Sequence, residues 1–182
     1  MNNALGMVEI QSIPTGMEAG DAMLKAASVR LVNAQAVCAG KYIVVVEGEV
    51  AAVTSSVRAG EAVAGTSLVN SIVISGIHEQ VAPAINACSE VGQVAAIGAM
   101  ECYSLCAAVV AADAAVKAAE VDLIEVRLGR GLGGKAFITL TGDVAAVRAA
   151  IEAGTAVKEA QGLMARSVVI PSPHPDMIQS LI

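Results

Sequence analysis

Four cysteines, two histidines and one glycine-rich run are the residues of this 182-residue chain whose types and spacing could do chemistry. Cys102 and Cys106 stand as Cys-x3-Cys, the spacing of half a metal site, with no second half nearby. They read as buried thiols packed as small hydrophobes in preference to ligands, and Cys88 reads the same way. Cys38 differs. It lies in AVCAGKY, at a predicted hairpin tip just before Gly40, where a thiol is exposed to solvent. One such cysteine per chain makes no metal site alone; symmetry that gathers several chains' copies would make one. His78 and His174 each follow a predicted strand. They read either as a catalytic pair or as a symmetric structural feature, capping a strand end or meeting a neighbouring subunit. No Ser-His-Asp set or carboxylate cluster accompanies them, so the chain reads as no enzyme. Residues 129–136, GRGLGGKA, nearly fit the phosphate-cradling pattern G-x-x-x-x-G-K-[ST]. Ala136 replaces the hydroxyl that would hold magnesium. The run also joins two predicted strands, where a phosphate loop must open a helix. It reads as a glycine-rich hairpin loop whose backbone needs unusual angles.

The elements that position these residues come twice. Residues 4–31 and 96–123 align at an offset of 92, pairing Gly6 with Gly98, Glu9 with Glu101, Ser12 with Ser104, Asp21 with Asp113 and Lys25 with Lys117. Gly40-Lys41 meets Gly134-Lys135 at an offset of 94, and His78 meets His174 at 96, a drift that small loop insertions produce. The same alignment sets Leu132 opposite Cys38, so only one copy carries the thiol. Two copies of about 90 residues fill the chain, 1–91 and 92–182, with the boundary near 88–94. In the first copy, residues 4–12, 29–37, 41–47 and 68–74 read as strands. Residues 17–27 and 49–64 read as helices from their apolar spacing, with a helical turn at 79–87. In the second copy the strands 121–128 and 135–141 flank the glycine-rich loop. The order β-α-β-β-α-β is the ferredoxin-like arrangement, so the fold class is α+β with two tandem ferredoxin-like domains.

Composition excludes several partners. Hydrophobic residues make up 55% of the chain and charged ones 15%, which implies that part of the outer surface is buried against other subunits. The net charge is −6 and the aromatics are Tyr42, Tyr103 and Phe137, which suits neither a phosphate backbone nor stacked bases. The longest uncharged stretch, Ala62 to His78, is broken by polar residues, so no membrane span is expected. The start shows no basic n-region before an apolar run, and the cysteines are therefore expected in a reducing cytoplasm, as thiols or metal ligands sooner than disulfides.

ALGMVEI, DAMLKAASV and AGKYIVVVEGEVAAV resemble the bacterial microcompartment shell domain, as do AIGAMEC, DAAVKAAEV and GGKAFITLTGDVAAV in the second copy. The resemblance covers the whole chain, twice over. It implies a trimer whose six domains imitate a hexagonal tile, assembled edge to edge with other shell proteins around enzymes in the bacterial cytoplasm. The chain is most similar to the iron–sulfur tandem shell proteins of propanediol-utilisation microcompartments. Those carry one [4Fe–4S] cluster per trimer, held on the axis by one Cys from each chain in a Cys-Pro-Gly-Lys loop. The matching ligand here is Cys38, with Ala39 in place of the proline. Val37, Ala39, Gly40, Leu132, Gly133 and Gly134 then line the central pore. Three thiolates on an axis repel one another, and a cluster offsets that charge. The resemblance implies electron transfer or cluster exchange across the shell, and an enclosed redox enzyme as a partner. It places Lys25, Lys117, His78 and His174 at the shell edge. The family's Pro-Arg-Pro-His edge motif appears as Pro171-Ser172-Pro173-His174 and Ser75-Gly76-Ile77-His78, without the arginine. The alternative is a purely structural tile with an open small-molecule pore and Cys38 as a free thiol.

Overall fold

The structure, a computed structural model, describes residues 3–181. They form two compact units, one ending at Ile77 and one beginning at His78. The first unit runs β1 (Asn3–Ile10), α1 (Ile13–Ala26), β2 (Arg30–Val37), β3 (Lys41–Glu49), α2 (Val50–Ala64) and β4 (Leu68–Ser75). Its sheet has the order β2-β3-β1-β4 with every neighbouring pair antiparallel. This is the ferredoxin-like arrangement that the sequence predicts. β1 is central and buried from Ala4 through Ile10, so its residues are apolar on both faces apart from Gly6 and Glu9.

Packing explains why Gly6 and Gly98 align. A Cβ on Gly6 would stand 2.6 Å from Val57 Cγ2 and 2.7 Å from Val53 Cγ1, both on α2. Any larger residue would push that helix off the central strand. With glycine there, Val8, Val44, Val46, Val53 and Val57 close into one core together with Met23 of α1. α1 begins four residues ahead of the predicted helix and so takes in Pro14 and Gly16, residues that disfavour a helix interior. Proline in the first turn costs no hydrogen bond, since the N–H it lacks would have no partner in the helix. Ser12 caps the end, its Oγ accepting the Thr15 N–H at 3.4 Å.

The second unit repeats the plan with β5 (Ala96–Cys102), α4 (Leu105–Ala118), β6 (Val121–Leu128), β7 (Ala136–Gly142), α5 (Val144–Ala156) and β8 (Met164–Pro171), in the sheet order β6-β7-β5-β8. Ser104 caps α4 as Ser12 caps α1, accepting the Ala107 N–H at 3.2 Å. A Cβ on Gly98 would meet Leu140 at 2.8 Å and Val147 at 2.9 Å. The described residues also hold two short α-helices, α3 (Val81–Ile85) and α6 (Pro175–Gln179), and single 3-10 turns at Gly65–Ser67 and Lys158–Ala160.

The packing seam differs from the repeat boundary. Residues 78–95 fold with the second unit, although the sequence places 78–91 in the first copy. Specific contacts cause this. His78 N–H donates to Asp113 Oδ1 at 2.8 Å, and Gln80 spans the edge of β6. Its Oε1 accepts the Leu123 N–H at 2.8 Å and its Nε2 donates to the Val121 carbonyl at 3.4 Å. Val81, Ala84 and Ile85 are buried as α3 settles on β6 and α4.

Candidate functional site

Cys38, Ala39 and Gly40 form the turn between β2 and β3, whose last pair is Val37 with Lys41. Val37 is buried and anchors the strand end. Cys38 is half-buried, and Ala39 and Gly40 are exposed. Gly40 takes φ +75°, which favours glycine, and open space surrounds the place of a Cβ. The base of the turn is fixed by charge. Lys41 Nζ pairs with Glu9 Oε1, and the Glu9 side chain is only 2% exposed. A carboxylate that deep must be paired, so Glu9 commits Lys41 inward and leaves the residues before it at the tip.

The second copy builds the matching loop differently. Residues 129–135 connect β6 to β7, and Gly129, Gly131, Gly133 and Gly134 all take positive φ, between 61° and 91°. The Lys135 N–H closes the loop on the Leu132 carbonyl at 3.2 Å. Leu132, opposite Cys38 in the repeat, is half-buried. The run joins two strands, as expected of a hairpin loop. Lys135 Nζ stands 2.7 Å from Glu101 Oε1, and that hydrogen bond holds the lysine above its ordinary range.

The other thiols belong to the second unit. Cys102 ends β5 and Cys106 sits in the first turn of α4, both fully buried. Burial pushes the Cys102 thiol up, so it stays protonated at neutral pH. Cys88 is exposed beyond α3 and donates to the Asn86 carbonyl at 3.3 Å. Among the described residues no group of three or more His, Cys, Asp or Glu is placed to hold a metal ion. Cys38 is therefore a single donor, half-exposed at a loop tip. It fits a metal group only as one ligand among several chains'.

The residues expected at the edge sit in unequal surroundings. Lys25 Nζ pairs with Asp21 at 2.5 Å on the open face of α1. Lys117 pairs with Asp113 at the same distance, but the Asp113 side chain is 9% exposed and also accepts the His78 N–H. His78 and His174 play one local part. Each Nδ1 accepts the N–H two residues on, at 3.4 Å from Gln80 and 3.3 Å from Asp176, and so stabilises the start of a short helix.

The fold, repeated twice with a glycine at the same close approach, matches one family. The BMC domain matches residues 4–77 and again residues 96–173. The chain belongs to the BMC-domain family. It is a tandem-domain shell protein of the bacterial microcompartment type. The bacterial microcompartment shell protein PduT of Citrobacter freundii is 40% identical over 182 residues, which is 100% of this chain and 99% of that protein. A solved structure of a microcompartment protein from Desulfitobacterium hafniense DCB superposes with a TM-score of 0.94 at 46% identity, covering 98% of this chain and 99% of that one. The carboxysome shell protein CsoS1 of Prochlorococcus marinus is 41% identical over 96 residues, covering 51% of this chain and 93% of its own.

Two features of this BMC pair escaped the sequence reading. One is the pairing of Glu9 with Lys41 and of Glu101 with Lys135. The repeat aligned all four residues, and a glutamate within an apolar central strand was the signal that each needed a cation. The other is Gln80, whose side-chain amide completes a strand edge 43 positions away; no local pattern announces that.

Proposed function

We propose that this shell protein works as a homotrimeric tile in which three Cys38 thiolates meet on the threefold axis and hold one [4Fe–4S] cluster. The observation that carries it is the Cys38 turn. A thiol stands at the tip of one pore hairpin, while its repeat counterpart is Leu132, so a trimer presents three thiols and not six. Cysteine thiolates are the usual cluster ligands, and three of them leave one iron open. When bound, the cluster supplies one-electron exchange, which suits electron transfer or cluster exchange across the shell with an enclosed redox enzyme. The chain's own part is to bind and position. Cys38 provides the ligand, Ala39 and Gly40 leave room beside it, and the Glu9–Lys41 pair fixes the base of the turn. Association with other shell proteins follows from the relatives' names.

Iron and sulfide analysis of anaerobically reconstituted protein tests the proposal. Wild type should be brown and hold about four irons per three chains. Cys38→Ser should be colourless and iron-free while remaining a folded trimer. Cys88→Ser should keep the iron. Stoichiometric iron in the Cys38 variant, or none in wild type, would leave an open-pore tile as the reading.

A further inference from the structure

The two units use the same sheet edge differently. In the second unit, residues 78–85 lie along β6 and α4. There Asp113 is 6% exposed and Leu123 is 1% exposed. The repeat sets Asp21 of α1 and Leu31 of β2 at these positions, 92 residues earlier. In the first unit they lie open. Leu31 is 41% exposed, and the Asp21 side chain is 62% exposed.

A matching cover exists at the other end of the chain. His174 stands 96 residues after His78 and makes the same imidazole-to-backbone turn. Yet α6 buries no residue, whereas α3 buries Val81, Ala84 and Ile85. Met177, in the place of Val81, is 51% exposed. One chain thus carries an empty seat and an unseated plug of the same build.

We infer that residues 174–181 of one copy dock on β2 and α1 of a second copy, in the pose that 78–85 take on β6 and α4. The inference rests on the trimer reading above and names its joint. The His174 N–H then donates to Asp21 of the second copy, and Met177 covers Leu31. Charge complementarity supports a second copy as the occupant. Asp176 takes the place of Gln80, and Arg30 takes the place of Asp122. The Asp176 side chain is 87% exposed and the Arg30 side chain is 64% exposed. A carboxylate accepts the Leu31 N–H as the amide of Gln80 accepts that of Leu123. It also faces a guanidinium that has donors beyond those engaged by Glu47.

The test uses the full chain at micromolar concentration, with mass from light scattering and fold from circular dichroism. Leu31→Arg and Met177→Asp alter residues that are open in the single chain, so both should stay folded and both should lose the trimer. Asp176→Arg should raise the half-dissociation concentration at least about tenfold through like-charge repulsion. Asp176→Asn keeps an acceptor and should stay near wild type. If wild type is trimeric and the Leu31 and Met177 variants are too, the joint lies elsewhere and this inference falls while the trimer stands. A trimer unmoved by Asp176→Arg overturns the charge pairing. A monomeric wild type removes the trimer reading and the joint with it.

Discussion

Glu9 and Lys41 form a buried ion pair between the central strand β1 and the start of β3, directly beneath the Cys38 turn. Glu101 and Lys135 repeat it in the second unit, but with side chains 37% and 34% exposed. The same two residue types at the same places therefore meet different dielectric surroundings. The buried pair is screened little, while the second is screened by water.

Removing one partner should expose that difference. Glu9→Gln leaves the Lys41 ammonium mostly buried without its counter-ion. It should lower stability by about 2 kcal/mol, below the roughly 3–5 kcal/mol of a fully buried pair because Lys41 is partly exposed. Glu101→Gln should cost less, because water replaces the lost partner. Parallel urea titrations measure both. Equal losses would mean that the burial of Glu9 confers no special dependence.

Lys135 gives a pH signature of definite sign. Its hydrogen bond to Glu101 raises the folded value above the ordinary 10.5. A raised lysine stabilises the fold fully below the unfolded value and loses that contribution as pH climbs through the folded one. The stability gap between wild type and Lys135→Gln should therefore stay constant from neutral pH up to about 10.5 and close above it. Denaturation series across alkaline pH check this; a gap that closes near neutrality contradicts it.

Lys25 and Lys117, both expected at the edge, should part company on substitution. Lys25 sits on an open helix face, where an i,i+4 pair contributes only about 0.2–0.5 kcal/mol. Lys25→Ala should hardly move the urea midpoint, while sheets seen by electron microscopy diminish if the residue lies at the tile rim. Lys117→Ala removes the cation beside a carboxylate that is 9% exposed. It should cost more stability than Lys25→Ala, cushioned by the His78 N–H that Asp113 keeps.

Local signals made most of this fold readable. Valine-rich runs gave the strands, and the aligned Gly6 and Gly98 marked where a helix presses on the central strand. The cysteines sorted only in part: Cys102 and Cys106 are interior and Cys38 is at a turn, as their contexts imply, but Cys88, read as a buried thiol, is exposed because it lies beyond the end of α3. Contacts distant in sequence were not readable. Residues 78–91 belong to the first copy by repeat, yet their allegiance is decided by Asp113, Val121 and Leu123, more than thirty positions later. The start of α1 was hidden because proline and glycine weaken a helix interior but not its first turn.

The glycine-rich loop constrains how the molecule can be re-tooled. Of residues 129–135, four are glycines at positive φ, and Lys135 is committed to Glu101. A side chain at any of those glycines would be strained. Only Arg130 and Leu132 are free to vary, so selection, natural or in the laboratory, has two positions through which to alter the chemistry of that loop. The shorter Cys38 turn offers Cys38 and Ala39. The tandem chain therefore keeps two loops of different length and composition that can be adjusted separately, one in each unit.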